Sequence, residues 1–242
     1  TKIHMLKVIR VIGCNVECSS INEVKLALHA GFDPSQVLYT SNNIAFSEIE
    51  EAKNLGVHIN IDSLSNLEKF GKKFGHSYPV GIRLRPNIMA GGHIKISTGH
   101  EKSKFGIPID QIEQILSVVH EHNLFISDLH IHTGSEIKDV DVCIKGIQAL
   151  FDIVHHFKEL EFIDLGGGFK VPYNDGDAET DINLLAQKVE NTLARSGVRP
   201  LQIWFEPGKF LVSECGYFIT KVNVMKETSA ATFVSVDSGF NH

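Results

Sequence analysis

Along this chain the spacing of apolar positions changes back and forth between two periods. Short apolar runs of strand character give way to stretches in which apolar residues return every three or four positions, the spacing of a helix with one buried face. "NVECSS" (Asn15–Ser20) precedes a helix predicted over Glu23–Ala30, and "QVLYTS" precedes one over Ala45–Leu55. "VHINIDS" precedes a helix over Leu64–Phe70, which "PVGIRLRP" follows. A long loop through "ISTGHEKSKFGI" leads to a helix over Ile109–His122 and the strand "ISDLHIH". A helix over Val140–Lys158 then precedes "LEFIDLGGG", and one over Leu184–Ser196 precedes "LQIWFEPG". Strand–helix alternation of this kind predicts a parallel sheet, and right-handed crossovers roll so many units into a (β/α)₈ TIM-type barrel.

Seven such units are countable. The amphipathic stretch His4–Ile12 reads as a helix that follows a strand, which places the barrel's first strand before Thr1. The chain starts without methionine and stops at "SGFNH" just after a strand-like run, so both ends read as cut. An open, complete sheet is the alternative. After the seventh unit "GYFITKVNVMKE" and "ATFVSVDSGF" read as consecutive strands. The expected division is therefore a barrel over 1–215 and the beginning of a β domain over 216–242.

Composition narrows the function classes. Charged residues make up 21% of the 242 and the net charge is −6, so no basic surface points to nucleic acid or membrane. No apolar run approaches the roughly 20 residues that span a bilayer. Cys14, Cys18, Cys143 and Cys215 form no framework, and the plain reading is a reduced, cytoplasmic protein.

Candidate chemistry sits at the carboxyl ends of the strands, where such barrels build their active sites. Those ends carry Glu17, Asp62, Arg83, Arg85, His130, His132, Asp164 and Glu206. "DLGGGF" (Asp164–Phe169) puts three glycines where a strand meets a loop, as a tight turn or as bare amides closing on a phosphate; it lacks the spacing of a dinucleotide fingerprint. In "FEPGK" (Phe205–Lys209), Glu206 is either a capping carboxylate or the partner of a protonated heterocyclic nitrogen. In "LHIHTGS" (Leu129–Ser135) strand alternation puts His130 and His132 on one side. That pair suits a metal-dependent hydrolase, but the other strand ends offer no third histidine. The alternative has His132 lying on a flat aromatic ligand while Ser135 and the glycine loop hold its phosphate.

"RLRPN" (83–87), "HIKISTGHEKSKFGI" (93–107), "LHIHTGS", "DLGGGF", "FEPGK" and "VDSGFN" (236–241) together, and in this order, resemble the fold-type III, pyridoxal-phosphate-dependent decarboxylases. The long 93–107 loop favours the diaminopimelate branch over the ornithine and arginine branches. The resemblance implies that pyridoxal 5'-phosphate is the cofactor and that meso-2,6-diaminopimelate is decarboxylated to L-lysine. A racemase of the same fold and a lysine-less regulatory homologue are the alternatives. It implies that His132 stacks on the pyridine ring, and that Ser135 with the backbone of Gly166, Gly167 and Gly168 binds the phosphate. Glu206, within the Glu206–Pro207–Gly208 turn, keeps the ring nitrogen protonated, and Arg83 lies near the phenolic side. Lys209 stands where the family has arginine against phosphate or substrate; lysine keeps the charge and loses the two-pronged geometry. The lysine that forms the Schiff base is expected a few residues before Thr1, with neither Lys2 nor Lys7 in its place. A small amino-acid substrate and a homodimer of the full-length protein are the implied partners.

Overall fold

The computed structural model describes residues 2–88, 99–101, 103–199 and 201–239. Residues 93–98 and 102 of the long loop and the last residues of "VDSGFN" lie outside these. The chain divides into two compact units, Thr1–Phe210 and Leu211–His242.

The first unit holds the alternation read from the sequence. Helix α1 (Ile3–Val11) is followed by β1 (Val16–Cys18), α2 (Ile21–His29), β2 (Val37–Thr40), α3 (Phe46–Asn54), β3 (His58–Ile61), α4 (Leu64–Phe74) and β4 (Val80–Arg85). A two-residue β5 (Ile107–Pro108) adds to β4, and then come α5 (Ile112–Glu121), β6 (Ile126–Ile131), α6 (Val140–Val154), β7 (Phe162–Gly167), α7 (Ile182–Ser196) and β8 (Gln202–Glu206). The strands pair in parallel in the order β1-β2-β3-β4-β6-β7-β8, a TIM-type barrel sheet with β1 and β8 at its two ends. All six residues of β6 and of β7 are buried, because a parallel sheet covered by helices shows neither face to water.

The predicted elements are all present, with shifted ends. The first strand is only three residues long, because Ser20 leaves the sheet to cap α2: its side chain accepts the Glu23 N–H. Helix α6 stops at Val154 rather than Lys158, because the chain turns there to bury Phe157 and Leu160. No glycine or proline marks that stop.

Register stacks the interior in layers. Arg83, His130 and Asp164 are level across β4, β6 and β7, two residues beyond the level row Gly81, Asp128 and Phe162. The outer row lies towards the strands' carboxyl ends and belongs to the candidate site; the inner row is core.

The second unit is a ribbon of antiparallel β9 (Val222–Glu227) and β10 (Thr232–Val236), which are the two consecutive strands predicted after the barrel.

Candidate active site

The outer row and the loops beyond it gather the groups read from the strand ends. His130 is fully buried on β6 and brings Nε2 to 3.3 Å from Glu206 Oε2 at the end of β8. His132, one turn of the pleat further on, is partly buried. Its Nδ1 accepts the Gly167 N–H at 3.2 Å, which leaves the ring proton of a neutral imidazole on Nε2. Glu206 Oε2 also lies 3.6 Å from that Nδ1, but a nitrogen that accepts from an amide cannot donate to a carboxylate, so this is proximity rather than a bond. The Glu206 contact that counts is the one to His130.

The consequence is electrostatic. Burial alone raises the Glu206 carboxyl; the His130 charge and hydrogen bond, with His132 close by, outweigh it and hold the group well below the usual carboxylate range. Its neighbours move the other way. Burial, then repulsion from Glu206, pushes Asp164 up to about 8. Glu17, which solvent still reaches, is raised by the protein packed around it and by Glu206. Glu206 is thus the carboxylate that keeps its charge. Its Oε1 is closed off from solvent and lies 3.3 Å from His130 Nε2, which is equally close to Oε2, so one imidazole N–H serves both oxygens. A buried carboxylate so sparingly matched is stabilised further by an N–H cation beside it.

Arg83, level with His130, stands over the Phe105 ring at 4.9 Å. Burial lowers its pKa against the pull of Glu206, Glu17, Asp62 and Asp164. Asp62 is itself raised by burial and accepts from Asn42.

The glycine triplet is required by close packing. A Cβ on Gly167 would stand 1.9 Å from the Glu206 carbonyl oxygen, and one on Gly168 1.8 Å from that of Gly134. Gly166 and Gly168 also have φ of 70° and 87°. Their amides differ in use. Gly166 donates to Asp164 Oδ1 at 2.8 Å and Gly167 to His132, while the parallel pairing of Gly167 with Glu206 turns the Gly168 N–H to the Glu206 carbonyl, since Pro207 has no N–H to offer the alternative pattern. Ser135 lies beside them, between Gly134 (φ 148°) and Glu136 (φ 60°). The two loops are laced together where the Ile137 N–H donates to Gly168 O at 3.0 Å.

Pro207 and Gly208 turn the chain from β8 into a five-residue helix, Gly208–Val212, that carries Lys209. Lys209 does not extend freely. Its Nζ donates to Tyr173 Oη at 2.9 Å and pairs with Glu136. The structure therefore gathers His132, Gly166, Gly167 and Glu206 directly, with Ser135, Gly168 and Lys209 on the adjoining loops. It also gives His130 a part as the partner of Glu206. The signal was available: residue 130 shares its interior face with 132, and only β7 separates β6 from the glutamate-bearing edge strand. His130, Asp164 and Glu206 each offer one ligand-type atom within 4.8 Å of the others, a grouping that excludes His132 and so differs from the histidine pair a hydrolase reading would use.

The groups suit a flat, cationic heterocycle bearing an oxyanion: an ionised, sparingly matched carboxylate for the ring nitrogen, an imidazole beside it, and a closely packed glycine loop adjoining Ser135. The comparisons agree. Residues 1–213 match the model of the pyridoxal-dependent decarboxylases' pyridoxal-binding domain, and the chain belongs to that family. Among curated proteins, the diaminopimelate decarboxylase of Methanothermobacter thermautotrophicus is 33% identical over all of this chain and 58% of its own length. That of Escherichia coli K12 is 30% identical, over all of this chain and 59% of its own. The crystal structure of diaminopimelate decarboxylase from Helicobacter pylori complexed with L-lysine superposes with a TM-score of 0.87 at 29% identity, covering 99% of this chain and 61% of that one. The chain thus spans about three fifths of the length of the relatives it matches.

Proposed function

We propose that this chain forms the cofactor-holding barrel of a decarboxylase that converts meso-2,6-diaminopimelate to L-lysine, with pyridoxal 5'-phosphate bound at the carboxyl ends of β6, β7 and β8. The observation that carries the reading is Glu206, an ionised carboxylate closed in by the protein whose two oxygens share one imidazole N–H. The relatives named for that activity, and the H. pylori structure complexed with L-lysine, support the substrate. When bound, the cofactor supplies an electron sink for the carbanion left as carbon dioxide departs.

The chain's own residues do the rest. Glu206 Oε1 accepts the proton-bearing ring nitrogen, and His130 keeps that carboxylate ionised and aimed. His132, held by the Gly167 amide, presents its ring as a stacking face. Ser135 holds the phosphate with the backbone of the glycine loop, Gly166, Gly167 and Gly168, packed beside it. Arg83 supplies positive charge near the phenolic side, and Lys209 an ammonium for phosphate or substrate. The complete protein is a cytoplasmic homodimer. Among the described residues, no helix is long and apolar enough to cross a membrane.

Titration of the purified protein with pyridoxal phosphate, read by quenching of Trp204 on β8, tests this. Glu206→Gln is expected to weaken binding about tenfold or more, because a neutral amide cannot balance a cationic ring. It should also shift the bound cofactor's absorption towards the unprotonated ring. Equal affinity and an unchanged spectrum would remove the assigned role. In the complete protein, carbon dioxide release should favour diaminopimelate over ornithine and arginine, and borohydride trapping should mark a lysine outside 1–242.

A further inference from the structure

Each of the three loops beyond β6, β7 and β8 contributes one charged residue to a single cluster. Glu136 follows Ser135, Lys170 follows the glycine triplet, and Lys209 follows Glu206–Pro207–Gly208. Glu136 Oε2 accepts from Lys170 Nζ at 3.1 Å, while its Oε1 pairs with Lys209 and accepts from Tyr173 Oη at 3.2 Å. Both ammonium groups also stand over the Tyr173 ring, Lys170 at 4.9 Å and Lys209 at 5.4 Å from its centre. Tyr173 is fixed in turn, because Asp177 Oδ2 accepts its backbone N–H at 3.0 Å.

Two features distinguish this cluster from an ordinary surface ion pair. Lys170 is buried, only 6% exposed, with its backbone N–H donating to the buried Thr180 hydroxyl at 2.7 Å. Glu136 has a left-handed backbone, φ 60°, which strains a residue with a Cβ. The fold thus accepts strain and the burial of an ammonium to hold this carboxylate between two lysines.

A charge count explains why both lysines are needed. Lysine at 209 is a flexible, strongly hydrated point charge that must be immobilised before it can read an anion, unlike a planar guanidinium fork. Glu136 and Tyr173 immobilise it, but Glu136 alone would also cancel its charge. Lys170 shares Glu136's charge with Lys209, so these three groups together keep one positive charge, while the exposed Asp177 carboxylate, which also feels Lys170, makes no ion pair with either lysine among the described contacts.

We propose that Lys170, Glu136 and Tyr173 are positioning residues that hold Lys209 as a fixed, uncancelled cation for an oxyanion at the mouth of the barrel. The oxyanion is the cofactor phosphate or the substrate carboxylate. The inference rests on the cofactor site above and adds the set that tunes it. The competing explanation, that the cluster merely stitches three loops together, makes a different prediction about charge.

Binding by the purified protein is measured in two arms: pyridoxal phosphate against pyridoxal, and, with the cofactor present, L-lysine against its decarboxylated diamine. Lys170→Met should weaken the anionic member of the responsive arm about tenfold or more and leave the neutral or amine member unmoved. Lys170→Met with Glu136→Gln should restore it to within about threefold, since the charge balance returns although the ion pairs are gone. Lys170→Arg should behave as wild type. If Lys170→Met fails to fold, Glu136→Gln alone decides, because the glutamine carbonyl can still accept from Lys209 and hold it in place while the opposing charge is gone, so anion binding should tighten. The arm that responds identifies the anion. Loss in the double variant as deep as in Lys170→Met, or weaker anion binding in Glu136→Gln, would overturn the proposal. Failure of the wild-type protein to bind pyridoxal phosphate at all would instead remove the underlying site, and this inference with it.

Discussion

Asp128 shows how one interior residue sets a property of the whole chain. It is buried on β6, its Oδ1 accepts from Ser127 at 3.0 Å, and its Oδ2 has no partner among the described residues. Asn60 Oδ1 is equally unmatched, and both oxygens lie about 2 Å from where a Cβ on Gly81 would stand, so they face each other within about 4 Å. Two bare acceptors in that position repel unless a proton lies between them. Burial, the dominant cause, raises the Asp128 carboxyl from 3.8 to about 7, which supplies the proton. The sign of the linkage follows. Between those two values the native state holds a proton that the unfolded chain has released, so stability falls as pH rises, by about 1.4 kcal/mol per unit for this group. The contribution is complete below pH 3.8 and gone above about 7. Asp128→Asn keeps the shape and offers Asn60 a permanent N–H. Urea unfolding of the variant between pH 5 and 7 is expected to lose that share of the slope and to be more stable at the upper end. An unchanged slope would place the pH dependence elsewhere. Glycine 81 is tied to the same contact: Gly81→Ala drives a methyl into both oxygens, and the barrel should lose several kcal/mol, of the order seen for overpacked cores.

At the scale of the element, legibility depended on whether the deciding interaction was local. The start of α2 is local: Ser20 accepts the Glu23 N–H at 3.3 Å, and Glu23 Oε2 returns to the Ser19 N–H at 3.0 Å. Ser and Glu at that spacing are a start signal that sequence carries openly. Ser20→Ala should lower stability by about 1 kcal/mol, seen as a smaller urea midpoint with the same dependence on denaturant. The end of α6 is different, because the helix stops where Phe157 and Leu160 find the core, and only the tertiary structure says where that is. The site divides in the same way. The glycine triplet, Glu206 and His132 were legible because each sits at a strand end, where alternation fixes the side. The contact of His130 with Glu206 joins two strands across β7 and was legible in part from the shared face of 130 and 132; the meeting of Glu136, Lys170 and Tyr173 with Lys209 depends on how separate loops fold back, which no spacing in the sequence encodes.

Across the whole molecule, burial is distributed so unevenly that the two units should differ in protection from exchange. In the barrel, β6 and β7 bury every residue between covering helices. In the ribbon, every residue of β9 and β10 is exposed, including Val224, Met225, Phe233 and Val234. An isolated two-stranded ribbon is marginal in water, because its hydrogen bonds have no buried apolar face to hold them. Amides of 126–131 and 162–167 are therefore expected to exchange only through global unfolding, and those of 222–227 and 232–236 at least about a thousandfold faster. A ribbon as well protected as β6 would contradict this. Addition of pyridoxal phosphate sharpens the comparison, since a ligand that binds only the native barrel adds about 2.7 kcal/mol at a hundredfold excess over its Kd. That increment should slow the barrel amides alone, with its largest local effect at the loops around 134–137 and 166–170. Slowing spread equally over both units would mean that the cofactor acts on a larger cooperative body than the barrel.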